Sequence, residues 1–164
     1  TGKGIYNVGE IAASGTRVKR LSFGAGDYTG DMGLVWTPEE RELAEARAAV
    51  ALASRVAGIE APLDSVFIDL DDQEHLASSA RTALEMGFQG KLCIHPKQIE
   101  VVNRTFTPTD EQVAKAERYI AAFREAEAKG SASITVDGYF VDYPIVQRAE
   151  RTLARMERIR AKTA

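Results

Sequence analysis

Residues 18–33 read VKRLSFGAGDYTGDMG. Leu21, Ser22 and Phe23 make a short, mainly apolar run that enters the glycine-rich turn Gly24-Ala25-Gly26, and Asp27 follows at once. A strand that passes through flexible backbone into an acid aims that acid from the rim of a rigid sheet, where metal ligands and catalytic acids sit. Asp27 is the leading candidate on these grounds. The competing reading is a carboxylate that only bonds the backbone of its own turn. Gly24, Gly26 and Gly30 are spaced G-x-G-x-x-x-G, with no helix expected directly after them, which argues against a dinucleotide cradle.

Around this stretch the chain alternates helix and strand. Residues 5–13 are helical up to the glycine stop at Ser14-Gly15, and residues 18–23 form a strand. Thr37-Pro38-Glu39-Glu40 combines an N-cap, a proline and a glutamate three residues on, and predicts a helix there. Its apolar face is Leu43, Ala46, Val50, Ala53 and Ala57, with a stop at Gly58. Residues 65–70, SVFIDL, read as a continuous apolar strand covered on both faces. Asp72 caps the next helix, whose face is Leu76, Ala80, Ala83 and Leu84, and Gly87 closes it.

Residues 91–94, KLCI, predict a third strand ending at His95-Pro96, with a brief helix over 97–103. Thr109 and Gln112 open a capping-box helix with Val113, Ala116, Ile120 and Phe123 inward. This order predicts right-handed βαβ units on a parallel sheet. The rhythm then changes. Residues 133–136 and 139–141 flank Asp137-Gly138, a natural two-residue hairpin. Pro144 opens a last helix with Val146, Ala149, Leu153 and Met156 on one side. The expected division is βα units over 1–130 and a hairpin-helix appendage, a lid or docking arm, over 131–164.

The chain has 164 residues, 45% hydrophobic and 27% charged, enough for a substantial core. Its formal charge of -3 gives no general attraction to nucleic acid or an anionic membrane. No apolar run approaches the roughly 20 residues of a membrane span, and residues 1–10 lack the apolar core of a signal peptide. Cys93, the single cysteine, cannot pair internally, so a cytoplasmic location is expected.

Other polar residues have competing readings. Asp69, Asp71 and Asp72 resemble a metal cluster, but neighbours on a strand point to opposite faces, so capping is favoured. His95 either lines the rim or packs at a strand end. His75 is expected at the surface and Cys93 in the core. Arg148, Arg151, Arg155, Arg158 and Arg160 make the last helix basic, with Glu150 and Glu157 interleaved as on a solvated face.

Four ordered motifs, TGKGIYNVGEIA, LSFGAGDYTGDMG, GFQGKLCIHPKQIEVVN and VDGYFVDYPIVQRAE, resemble the citrate lyase beta-subunit family of the HpcH/HpaI aldolase superfamily. The similarity runs over essentially the whole chain. It implies the C-terminal part of a (β/α)₈ TIM barrel with a hairpin-helix lid, since three strands cannot close a barrel of about 250 residues. It also implies a trimer or hexamer, Mg²⁺, and carbon-carbon cleavage in acyl-CoA thioesters such as citryl-, malyl- or citramalyl-CoA.

Carried over by residue, Asp27 matches the metal-binding acid of the glycine-rich loop, with Gly26 replacing the usual neighbouring glutamate. Thr1-Gly2-Lys3-Gly4-Ile5 matches the residues after the family's other metal ligand, a glutamate, so the chain is expected to begin one residue past it. Asp142, before Pro144, matches a lid aspartate given to a neighbouring subunit's site. Retro-aldol cleavage needs a hard cation to polarise the acid end of the substrate and a carboxylate to move a proton, the roles implied for Asp27 and Asp142. Two alternatives accompany this reading: a non-catalytic fragment acting through association, and a thioesterase on the same scaffold.

Overall fold

The computed structural model describes residues 1–15 and 17–163. Two compact units, Thr1–Phe106 and Thr107–Ala164, divide the chain. The first holds a parallel sheet of β1 (Arg20–Ser22), β2 (Glu60–Asp64) and β3 (Gly90–Lys91), in chain order. Parallel neighbours require long crossovers. These are supplied by α3 (Ala25–Met32) and α4 (Ala44–Val56) between the first two strands, and by α5 (Gln73–Glu85) between the last two. Two short helices, α1 (Gly2–Tyr6) and α2 (Val8–Ala13), precede the sheet, and α6 (Ile99–Phe106) follows it.

The register explains two residues that look wrong for a strand. Pro62 has no N–H to donate, and it lies where the pairing slips from Arg20↔Glu60 to Ser22↔Leu63, so the irregularity absorbs the missing donor. Gly90 faces Leu63, and a Cβ there would come within 3.1 Å of the leucine Cδ2. The core joins Phe23, Leu43, Val50, Phe67, Leu76 and Phe88, among others, between sheet and helices. Each such side chain contributes roughly 1.5–3 kcal/mol on burial.

The second unit contains α7 (Asp110–Ala128), a hairpin of β4 (Ser133–Val136) and β5 (Tyr139–Asp142), and α8 (Tyr143–Thr163). Thr109 and Gln112 form the expected capping box. The hairpin turn puts Asp137 at φ 52° and Gly138 at φ 80°, the left-handed pair that matches strand twist. Phe123, Val141, Val146 and Ala149 lie in its core.

Several expectations are corrected. The middle strand is residues 60–64, not 65–70, because the carbonyls of Leu63 and Asp64 receive the Phe23 and Leu92 amides and the chain then turns away. Phe67 keeps that later segment apolar by entering the core from a loop. The third strand stops at Lys91, where the ladder ends, and exposed Cys93 follows instead of lying in the core.

The expected 5–13 helix is two pieces joined at Asn7. A helix does begin directly after Gly24, contrary to expectation. Glu40 does not complete a capping box: Thr37 is met by Glu42, and α4 begins at Ala44 after a 3₁₀ turn. The boundary at 130/131 moves to 106/107, because α7 packs with the hairpin and α8. No helix among the described residues is long and apolar enough to cross a membrane.

Candidate functional site

Because the three strands run parallel, the segments leaving them gather on one edge of the sheet. From β1 the chain enters α3 with Gly24 as N-cap, which puts Asp27 in the first turn, where a negative charge is favoured by the helix dipole. Asp27 is exposed and makes no hydrogen bond or ion pair among the described residues. The bland alternative, a carboxylate spent on its own turn, therefore does not hold. Ser65, just past β2, accepts the Ala25 N–H through Oγ at 2.8 Å in a buried bond. Thr29 Oγ1 donates to the Ala25 and Gly26 carbonyls at 2.9 and 3.1 Å.

One turn beyond Asp27, Asp31 Oδ2 accepts the Gly2 N–H at 2.7 Å. A Cβ on Gly2 would lie 2.4 Å from the Met32 sulfur, so a larger residue there would have to displace the exposed end of that side chain. The start of α1 is thereby tied to the helix face that carries Asp27.

Between sheet and helices lies a buried ionic cluster that sequence reasoning missed. Asp64, at the end of β2, is fully enclosed and bonds Arg47 Nε and Nη2 at 2.9 Å each and Lys91 Nζ at 2.8 Å. Arg47 Nη2 also reaches Glu40 at 2.5 Å, and Ser79 donates to the same Glu40 oxygen. Burial opposes ionisation of Asp64, but the Arg47 hydrogen bond and the charges of Lys91 and Arg47 outweigh it and hold the carboxyl below its ordinary range. Burial likewise opposes the Arg47 charge, and its bonds to Asp64 and Glu40 raise it nonetheless. Two acids balance two bases, so the cluster ties α4, α5 and two strand ends together and presents no net charge to a ligand. The signal was present: Arg47 shares the helical stripe of Leu43 and Val50.

The loops after β2 and β3 are joined by Gln98, also missed. Fully buried, it donates to the Phe67 carbonyl at 2.8 Å and accepts the Ile94 amide at 3.0 Å. His95 is half-buried and its Nδ1 accepts the Lys97 N–H, capping the 3₁₀ turn of Pro96–Gln98. Asp69 accepts the Asp71 and Asp72 amides, Asp72 caps α5 through His75 N–H, and Asp71 pairs with Lys97. The acids therefore cap and turn the chain from a loop, not from a strand. His75 is partly exposed beside Asp72.

In the second unit, half-buried Asp142 ends β5 and accepts the Ile145 N–H through Oδ1 at 3.3 Å, capping α8. In α8, burial and nearby Arg158 lower the Arg155 pKa.

The donor chemistry bears on a divalent cation. Mg²⁺ takes one or two carboxylates and completes its shell with waters and substrate oxygens. Asp27, exposed and uncommitted, fits one such ligand. Among the described residues no group of three or more His, Cys, Asp or Glu comes together, so no all-protein cage is present.

The HpcH/HpaI aldolase/citrate lyase family model matches residues 1–96. Citrate lyase subunit beta of Leuconostoc mesenteroides subsp. cremoris is 40% identical over 150 residues, covering 92% of this chain and 49% of that protein. The L-malyl-CoA/beta-methylmalyl-CoA lyase of Cereibacter sphaeroides is 34% identical over 175 residues, 96% of this chain and 55% of that one. The structure of CitE from Mycobacterium tuberculosis in complex with magnesium, acetoacetate and coenzyme A aligns with a TM-score of 0.81 at 31% identity, covering 96% of this chain and 58% of that chain. The chain spans about half the length of the curated relatives it matches. With a mixed α/β fold and a family model covering more than half its length, the chain belongs to the HpcH/HpaI aldolase/citrate lyase family.

Proposed function

We propose that the protein is a Mg²⁺-dependent carbon-carbon lyase acting on an acyl-CoA thioester of the citryl-, malyl- or citramalyl-CoA type. The single observation that carries this reading is Asp27: a carboxylate at the rim, with its helix start anchored by Ser65 and its oxygens uncommitted. In this reading the three βα units are the later part of a (β/α)₈ barrel, with the hairpin and α8 as its lid. The protein works as a cytoplasmic homo-oligomer.

Asp27 would hold the cation, which when bound supplies Lewis-acid polarisation of the substrate's hydroxy- or oxo-acid end. Asp142 would be the acid/base. Its Oδ1 is engaged by the Ile145 amide, which orients the carboxylate and would leave Oδ2 to take the substrate hydroxyl proton as the carbon-carbon electron pair passes to a thioester enolate. Oδ2 would then return that proton to the enolate carbon, giving acetyl-CoA. Carried on a lid given to a neighbouring subunit's site, Asp142 would work there with water excluded.

The test is cleavage of the candidate thioesters with and without Mg²⁺, following acetyl-CoA release by the protein and by its Asp27→Ala variant. Metal-dependent release that falls by at least about a hundredfold in the variant is expected, from the several kcal/mol a metal contributes. Equal rates would overturn the metal role, and free CoA without acetyl-CoA would replace the lyase with a thioesterase.

A further inference from the structure

We infer that Ser65 is a positioning residue for the metal-binding carboxylate of Asp27, an inference that rests on the metal reading above. Helix α3 begins on Gly24, which has no side chain with which to hold the first amides of the helix. Ser65 supplies that acceptor from the neighbouring strand end, forty residues away in sequence, with its Oγ 2.8 Å from the Ala25 nitrogen. Both residues are sealed from solvent, Ser65 at 1% exposure and Ala25 at 0%. Water therefore cannot replace the bond if the hydroxyl is removed.

Asp27 lies two residues after that amide and has no hydrogen bond of its own among the described residues. The direction of its carboxylate is set by the first turn of α3, and that turn is registered to the sheet by Ser65. Thr29 holds the carbonyl side of the same turn but reaches only within α3, so it does not tie the helix to β2. A metal ligand with one carboxylate and no direct support depends on the groups that aim it; losing a partner bonded to the ligand itself typically costs about 10–100-fold in metal affinity, and Ser65, one step removed, takes the low end of that range.

The experiment titrates Mn²⁺, read by the free-ion electron paramagnetic resonance signal, into the protein and its Ser65→Ala, Ser65→Cys and Asp27→Ala variants. Each is held well below its own unfolding midpoint, so a loss of fold does not enter the Kd. Expected is loss of measurable binding for Asp27→Ala and about tenfold weaker binding for Ser65→Ala. Ser65→Cys, with similar volume but a poor acceptor, falls between wild type and Ser65→Ala and tests the idea if the alanine variant does not fold. Hydrogen exchange at the Ala25 amide rises in both serine variants. If Asp27→Ala abolishes binding while both serine variants bind as wild type, the positioning role is overturned. If Asp27→Ala binds as wild type, or the wild type binds no Mn²⁺, the metal reading itself is overturned.

Discussion

Asp64 grips Arg47 with both carboxylate oxygens, Oδ1 to Nε and Oδ2 to Nη2, each at 2.9 Å, and neither side chain is more than 1% exposed. A charge pair enclosed to this degree makes the cost of removing one partner much larger than the net worth of the pair, because the other charge is left buried and alone.

Asp64→Ala strands Lys91 and leaves Arg47 with Glu40 as its remaining carboxylate, and is expected to lower stability by about 3–5 kcal/mol. Replacing Asp64 and Lys91 together by apolar residues of similar size leaves the Arg47–Glu40 pair intact and is expected to cost less than the single change. Urea unfolding followed by circular dichroism, compared across single and double variants, checks the order.

The same carboxyl sets an acid limit. Its folded pKa is depressed, so its contribution to stability is fully present above the unfolded value of about 4 and is lost as pH falls through the lower folded value. Stability should show no slope from this group between pH 5 and 7 and a steep loss below about 4. Asp64→Asn should flatten that acid limb, measured as the unfolding midpoint against pH.

At Asp142 two substitutions separate capping from chemistry. Asparagine caps a helix about as well as aspartate, so Asp142→Asn is expected to keep stability and lose turnover, whereas Asp142→Ala loses turnover and about 0.5–2 kcal/mol as well. Thermal unfolding and thioester cleavage measured on the same two variants decide this. Turnover retained in Asp142→Asn would remove its acid/base role.

Gln98→Leu leaves the Phe67 carbonyl and the Ile94 amide without their side-chain partner. A loss of about 1–3 kcal/mol is expected from the buried Phe67 carbonyl, and less from the amide of exposed Ile94. Faster hydrogen exchange at Ile94 would localise the loss to the loop after β3, and an unchanged urea midpoint would contradict it.

Local signals were legible from the residues alone. The capping box at Thr109, the Asp72 cap, the Asp137-Gly138 turn and the face of Val113, Ala116, Ile120 and Phe123 all lie where short-range rules put them. Asp27 stands exposed just past the end of a strand for the same reason: glycine spacing and an adjacent acid are properties of consecutive residues. The strand at 65–70 was misplaced because an apolar run has the same composition whether it joins a sheet or fills a core from a loop. Only the neighbours β1 and β3, which offer backbone partners at 60–64, distinguish the two cases.

What the linear order of residues determined was therefore the kind of elements, their alternation and the identity of an acid beyond the first strand, since caps, turns and periodicity act within a few residues. What folding alone decided was which distant groups meet: Ser65 on the amide of Ala25, Gln98 between two loops, and Glu40, Arg47, Asp64 and Lys91 in one closed cluster. Apart from the bond of Gln98 to the Ile94 amide, four positions away, those bonds join residues 7 to 40 positions apart, and a buried polar group has to find its partner wherever packing brings one within reach, not where sequence spacing points.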